Sequence, residues 1–599
     1  MLERMVHRGP DDSFLVSGEK FTLGARRLSI IDVEGGRQPL SNENATVWAC
    51  QNGELYNFEE CRAELEADGH RFRTRSDTEI LPHLYETHGE SFARRLRGMF
   101  AVAIWDDARG QGVLARDHAG KKPLHYVEHR GALYFASEIQ ALLAVPDLDR
   151  APNPQAIHHF LSYKHVPAPL TAFRGIFSLP PATTLLWRDD AIVGTKKYWT
   201  PSFAADAKWD GASEEDVACE VLSVLETAVS DRLISDVPIG FYLSGGLDSS
   251  LSTAIAASKA PGRIETFTLA YDEGAKTPGK DEDRAFAREV ASRYGTSHHE
   301  EIIGIDDFAS EFRTAQQCFG GPFSGVTSSY FLARLIGRHV KVALSGDGAD
   351  ELFGSYLSHR IAGPVDAYVK KGDAGLPPGL AEADLVRRIA SPDMASWRSR
   401  LFVFSEPDKQ RIYGPEMKAR TDLETSAQHF RGYLEGATAT DPLNLVLEAE
   451  FRGFLPDQVL TFVDRLSMAH SLETRTAYLD PRMIELAASL PARLKIRDGD
   501  VKRILKRAAK SYLPEALISR PKEGFVMPVN TWLLDGLAPF VDETLRRKRV
   551  AEAGLLDPDG VEAVVTSFRT GETTAANKVL SILALQVWWE SYFGAERCF

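Results

Sequence analysis

Along the first 200 residues, apolar and polar positions alternate in short runs broken by turn residues. Alternation with period two puts one face of each run against a core, which predicts strands at Phe21–Ala25, Thr46–Gln51, Met99–Trp105, Gly112–Arg116 and Ala132–Ala136. A turn is expected at Asn52–Gly53, followed by a helix over Phe58–Asp68. This part of the chain reads as an α+β sheet sandwich.

The stretch from Tyr198 to Ser213 is rich in Pro, Gly, Ser and other small residues and reads as a linker. Behind it, Val217, Val221, Leu222, Leu225, Val229 and Leu233 recur at helical spacing. From residue 237 the pattern changes. Apolar runs of strand length (Pro238–Leu243, Ile264–Leu269, Val340–Leu344) alternate with helical stretches (Ser249–Ser258, Arg284–Tyr294, Ser328–Gly337). That alternation predicts a parallel sheet with crossover helices. Beyond about residue 360 the pattern is mainly helical, and no internal repeat interrupts it.

With 599 residues the chain is long enough for two or three domains. Its 44% hydrophobic and 26% charged residues fit a protein with real cores. The formal net charge is −14, so no broad basic field invites nucleic acid, although a small anion needs only local donors. The five cysteines form no C-x-x-C pair, which argues against a disulfide framework or structural zinc and for a reducing, cytoplasmic setting. The start, MLERMVHRGPDD, has no apolar core of a signal peptide, and Val579–Trp589 is too short and mixed to span a bilayer. Nothing in the composition decides whether the chain is a monomer or a homodimer.

The sharpest local signal is Ser244-Gly245-Gly246-Leu247-Asp248-Ser249-Ser250, placed between the run VPIGFYL and the helical run LSTAIAA. Glycines there let the backbone approach a ligand, successive N–H groups form an anion nest, and the helix start adds positive partial charge. No Gly-Lys-Ser/Thr follows, so this is not a Walker loop. A second loop, Ser345-Gly346-Asp347-Gly348-Ala349-Asp350-Glu351, sets three carboxylates at the end of another strand, where doubly wound sheets bind ligands. Carboxylates beside phosphates repel them unless a divalent cation lies between, so the pair of loops predicts Mg²⁺.

SGGLDSS, LSGDGADELFGSY, VDRLSMAHSLETRTAYLD and RPKEGF, read together, resemble glutamine-hydrolysing asparagine synthetase. So, in order, do HRGPDD, ARRLSIID, QNGELYNF, SDTEIL, GMFAVAIWD, ARDHAGKKPLHY and FASEIQALL of the first half. The resemblance spans essentially the whole chain. It implies an α/β multidomain protein: an αββα, Ntn-hydrolase-like amidotransferase sandwich over residues 1–200 and a PP-loop synthetase domain over 213–599. It implies ATP and Mg²⁺ as cofactors, and L-aspartate with L-glutamine or ammonia as substrates. ATP contacts would be Leu243, Ser244, Gly245, Gly246, Asp248, Ser249, Leu269, Ser345 and Gly346. Asp347 matches the position tied to aspartyl-adenylate formation, and Lys522 the lysine that stabilises charge developing on the phosphates. Asp350 and Glu351 would act as metal ligand or base, with Asp248 as a further metal ligand. Whether Ser471, Glu473 or Arg475, in a helix expected over Asp464–Asp480, touches substrate stays open.

In the first half the resemblance places glutamine on Arg27, Asn52, Gly53, Glu54 and Asp77. Arg27 can clasp the α-carboxylate, Glu54 or Asp77 can take the α-ammonium, and Asn52 with the Gly53 N–H can form an oxyanion hole. One departure stands out. The family's nucleophile is a cysteine at residue 1, activated by its own α-amine, whereas this sequence begins MLERMVHRGPDD. Cys50 makes an improbable substitute. Either the start is assigned too late or the chain works from free ammonia. The 599 residues as they stand are expected to show little glutaminase activity and to form amide from ammonium salts. The same fold leaves open a relative that makes another amide, such as a β-lactam or cyclic peptide, and a nucleotide-binding scaffold without turnover.

Overall fold

A computed structural model describes residues 1–259, 264–272, 280–420, 422–520 and 527–594. In the first half, eleven strands follow one another: β1 (Asp12–Ser17), β2 (Thr22–Arg27), β3 (Leu40–Ser41), β4 (Val47–Leu55), β5 (Gly98–Asp106), β6 (Gln111–Arg116), β7 (His125–His129), β8 (Ala132–Ala136), β9 (Phe177–Ser178), β10 (Thr183–Arg188) and β11 (Ala191–Lys197). They form a six-stranded sheet in the order β11-β10-β6-β5-β4-β3, a three-stranded sheet β8-β7-β9, and the hairpin β1-β2. The central strand β5 is buried on both faces. Its Phe100, Val102 and Ile104 pack with Leu65 and Leu84 of the helices Phe58–Ala67 and Ile80–His88. Its Ala101, Ala103 and Trp105 pack toward Tyr126, Leu133 and Phe135 of β7 and β8. Strand period two therefore serves two cores at once, and the layering is helix, sheet, sheet. The far face of the three-stranded sheet, at Val127 and Ala136, joins a core shared with Phe160 and with Phe331 and Trp588 of the second half.

The expected turn at Asn52–Gly53 is instead part of β4: Asn52 pairs with Ala101 and Gly53 with Phe100. Gly53 sits at φ +137°, and a Cβ there would lie 1.9 Å from the Met99 carbonyl oxygen. The glycine is needed for close strand approach, not for reversal. The stretch Tyr198–Ser213 is likewise no free linker. Tyr198, Phe203 and Trp209 are buried, and the Phe203 N–H donates to Thr438 Oγ1 at 2.7 Å. It runs as a strap along the second half.

There, β12 (Ile239–Tyr242), β13 (Glu265–Tyr271), β14 (Ser297–Ile303), β15 (Val342–Ser345) and β16 (Glu473–Thr476) form one sheet in the order β14-β13-β12-β15-β16, every pairing parallel. The chain builds outward from β12 on one side, then returns to its other side. The strand order thus reverses between β12 and β15, the place where such sheets open a crevice at their carboxyl ends. The helix expected over Asp464–Asp480 is only half helical: the helix Leu460–Met468 ends and β16 follows. All four residues of β16 are buried although it is an edge strand of polar sequence, because the rest of the protein covers it. Among the described residues no helix is long and apolar enough to cross a membrane.

Candidate active site

β12 leads into Leu243 and the loop Ser244–Gly246, and the helix Leu247–Lys259 begins at once. The loop is tied down by its own serines. The Ser244 N–H donates to Ser249 Oγ at 3.2 Å, and the two hydroxyls meet at 3.0 Å. Gly245 has φ +73°, and an added Cβ would lie 2.0 Å from the Asp283 carbonyl oxygen. Arg520 donates to the Gly245 carbonyl at 3.1 Å, further fixing the turn. Leu243 hydrogen-bonds β13 through the Phe267 carbonyl at 2.9 Å, and Leu269 lies two residues further along that strand.

The second loop touches the first. A Cβ on Gly346 would fall 2.9 Å from Ser249 N and 3.0 Å from Asp248 Cβ, so the two loops share one edge of the crevice. Ser345 Oγ donates to Asp347 Oδ2 at 2.6 Å, and Thr476 of β16 donates to the Asp347 carbonyl at 2.5 Å. Burial raises the Asp347 carboxyl above its usual range, opposed by the nearby Lys121 ammonium. Glu351 accepts from the Tyr356 hydroxyl at 2.7 Å, and burial together with Asp350 raises it too. Asp248 and Asp350, one from each loop, converge on the Lys502 ammonium: Lys502 Nζ lies 2.5 Å from Asp248 Oδ2 and also pairs with Asp350 Oδ1. Two carboxylates already gathered around one cationic centre form a donor set that suits a hard divalent ion shared with phosphates.

The five residues assigned to glutamine all line one cavity of about 150 Å³. Arg27 is held by backbone carbonyls, donating to Ile31, Asp32 and Val33 at 2.9, 2.7 and 3.0 Å. Asn52 donates to Ser137 Oγ at 3.1 Å. Asp77 accepts from the Leu55 N–H at 3.0 Å and from Gln51 at 2.6 Å, while burial pushes its pKa up to about 6. Glu54 turns away to the second half, pairing with Arg475 at 3.0 Å. Cys50 lines the same cavity, but burial pushes its thiol up to about 12, so it carries almost no thiolate at neutral pH.

Between this cavity and the sheet edge runs a seam of buried charge. Glu473, at the start of β16, lines the glutamine-type cavity, pairs with Arg475 at 2.9 Å and lies 3.7 Å from Lys122. Arg8 binds Asp464 at 2.8 Å and Glu138 at 3.1 Å. At the other end of β16, Thr476 holds Asp347. Of the open positions, Ser471 donates to the His7 carbonyl at 2.6 Å, while Glu473 and Arg475 belong to the seam. Sequence reading missed Lys121, Lys122 and Lys502. The two adjacent lysines lie in the motif ARDHAGKKPLHY, but no spacing rule connects them to carboxylates some 230 or more positions away. Lys522 lies outside the described residues.

Fold and site together define a two-part α/β protein, an Ntn-type amidotransferase sandwich joined to a PP-loop synthetase sheet. Residues 220–590 match the family model described as asparagine synthase, and residues 1–199 match the glutamine amidotransferase domain. The chain belongs to the asparagine synthase family, glutamine-hydrolysing branch, a family of ligases. It is 30% identical to "Asparagine synthetase [glutamine-hydrolyzing] 1" of Bacillus subtilis, over 98% of this chain and 92% of that one. It is 35% identical to "Asparagine synthetase B [glutamine-hydrolyzing]" of Escherichia coli over 59% of this chain and 60% of that one. It is also 27% identical to "Amidase chry2" of Gibberella zeae, over 100% of this chain and 94% of that one.

Proposed function

We propose that the chain amidates L-aspartate, driven by cleavage of ATP to AMP and pyrophosphate. The observation that carries this reading is the contact between the Ser244–Ser250 and Ser345–Glu351 loops at the sheet's switch point. The side-chain carboxylate of aspartate attacks the α-phosphorus, pyrophosphate leaves, and an acyl-adenylate forms. Ammonia then adds to the acyl carbon, one proton is lost, and AMP departs with the former carboxylate oxygen.

The loop N–H groups of Ser244–Gly246, with Ser249 at the helix start, would cradle the departing pyrophosphate. Leu243, Leu269, Ser345 and Gly346 would border the nucleotide. Asp347, fixed by Ser345 and Thr476, would position the reacting acyl group. Glu351, whose proton affinity is raised by burial and by Asp350, would take the proton released when ammonia adds. Asp248 and Asp350 would hold Mg²⁺, which when bound offsets phosphate charge. Lys522 would stabilise charge on the phosphates.

In the first half Arg27, Asn52, Gly53 and Asp77 would hold glutamine. Asp77 suits the α-ammonium better than Glu54, because Glu54 is engaged by Arg475. The likeness to an amidase supports a second reading, in which the same adenylating site serves another acid or amine.

The test is a pyrophosphate-release assay with ATP, Mg²⁺ and aspartate, first with ammonium and then with glutamine. Asparagine and pyrophosphate in equal amounts are expected with ammonium. Pyrophosphate release with other acids but none with aspartate would favour the second reading, and none with any acid would overturn both.

A further inference from the structure

Away from both pockets, on the outer face of the first half, four side chains gather that the ligase chemistry does not use. Glu43, His70, His83 and Glu86 each offer one ligand atom, and these atoms all lie within 4.8 Å of one another. They come from three separate segments: the turn before β4, the chain after the helix Phe58–Ala67, and the helix Ile80–His88. His83 and Glu86 are three residues apart on that helix, so they share a face.

The distances point to a common centre. His70 Nδ1 and His83 Nδ1 are 3.2 Å apart. Glu43 presents one carboxylate oxygen 3.4 Å from His70 Nδ1 and the other 3.5 Å from His83 Nδ1. Ligands of a tetrahedral zinc ion, each about 2.0–2.1 Å from the metal, stand about 3.3 Å from one another. The His70–His83 separation matches that edge, the Glu43 carboxylate straddles both rings at a similar range, and Glu86 completes the group within 4.8 Å.

The surroundings hold the ligands in place. His70 Nε2 meets Thr87 Oγ1 at 3.2 Å, and that hydroxyl in turn donates to the His83 carbonyl at 3.1 Å. The Arg71 N–H donates to Glu43 at 2.7 Å, and Asn42 donates to Glu86 at 3.2 Å. His83 is fully buried beside Phe72, with ring centroids 4.6 Å apart. The hydrogen bond at the remote Nε2 of His70 leaves its Nδ1 aimed at the centre, and the bonds to Glu43 and Glu86 fix those carboxylates beside it.

We propose that Glu43, His70, His83 and Glu86 form a structural Zn²⁺ site. Two imidazoles and two carboxylates suit a borderline cation of tetrahedral preference better than Mg²⁺ or Ca²⁺, which favour oxygen alone. All four positions are taken by protein, so the ion has a bracing role. It ties the helix Ile80–His88 to the turn before β4. That helix directly follows the turn carrying Asp77, and β4 carries Asn52 and Gly53. The ion therefore pins together two walls of the glutamine-type cavity.

The experiment uses the full chain, stripped with EDTA and dialysed, then titrated with Zn²⁺ against a chromophoric chelator. Co²⁺ is titrated in parallel for its tetrahedral absorption bands. One Zn²⁺ per chain is expected, with a rise in the thermal unfolding midpoint. His70→Ala and Glu86→Gln, at positions with some exposure, are each expected to weaken Zn²⁺ binding at least about tenfold and to shrink the midpoint shift. Both are expected to leave ammonium-dependent turnover unchanged. His83→Gln should abolish binding, but that residue is buried, so the two exposed variants decide the question if it misfolds. No stoichiometric Zn²⁺, or equal affinity in wild type and His70→Ala, would overturn the proposal.

Discussion

Arg475 and Glu54 meet at 3.0 Å across the boundary between the two halves, with the guanidinium wholly excluded from solvent. Arg475 also binds Glu473 at 2.9 Å and donates to the Arg232 and Ile234 carbonyls at 3.0 and 2.7 Å. Removing one member of a buried ion pair leaves the other charge without compensation, a loss of about 3–5 kcal/mol. Arg475→Ala is expected to destabilise by that order in urea unfolding. The double variant Arg475→Met with Glu54→Gln should lose less, because Glu54 is no longer left as a lone charge and Glu473 keeps Lys122 at 3.7 Å. Equal loss in single and double variants would show that the pair is not coupled.

The contact between the loops Ser244–Ser250 and Ser345–Glu351 predicts a sharp functional effect. Gly346→Ala would push its Cβ to 2.9 Å from Ser249 N, and the loops would have to separate. Misplacing a binding loop by about 1 Å can cost roughly a hundredfold in rate. Gly346→Ala is therefore expected to lower kcat/KM for ATP in pyrophosphate release by about that factor, while the unfolding midpoint stays near wild type. Unchanged kinetics would mean that the loops do not need their contact.

Lys121 gives a pH signature. Burial lowers its pKa to about 8, with Asp347 acting in the opposite sense. In the unfolded chain a lysine titrates near about 10.4. Between these values the unfolded state binds more protons, so stability rises with pH. The cost of the buried charge is fully present below about pH 8 and is relieved as pH climbs toward about 10.4, an effect of up to about 3 kcal/mol. Unfolding measured across that window should show the rise in wild type and a flatter profile in Lys121→Met. Equal slopes would place the lysine's titration elsewhere.

The strands β2, β4, β5, β6, β8, β12, β13 and β15 were legible because their apolar periods are plain, whereas β1, β7, β10, β11 and β14 were not read from the pattern. The predicted Ala132–Ala136 strand and Ser328–Gly337 helix agree with the structure residue for residue. Glycine misled where it serves close packing, as at Gly53, because the same residue type also marks a hairpin. β16 was missed because Glu-Thr-Arg-Thr carries no apolar period: its burial is balanced by charges from the other half, which a local pattern cannot show. The residues that line the first-half cavity, and the two loops that meet at the switch point, lie in motifs that can be read in the sequence. Lys502 was not, since it meets Asp248 and Asp350 only after a separation of more than 150 residues has been closed by folding. The His70–His83 cluster escaped notice for the same reason, as its members lie on three segments with no metal-ligand spacing.

The seam of buried charge also bears on how this protein can be handled. Arg8 and Lys122 of the first half meet Asp464 and Glu473 of the second, and Arg475 of the second half meets Glu54 of the first, so each half alone loses part of its charge pairing. Cutting the gene between the halves would leave each fragment with stranded ions on a surface shaped for contact. Separate fragments should aggregate or refold locally, and mixing them should restore solubility only when both are present.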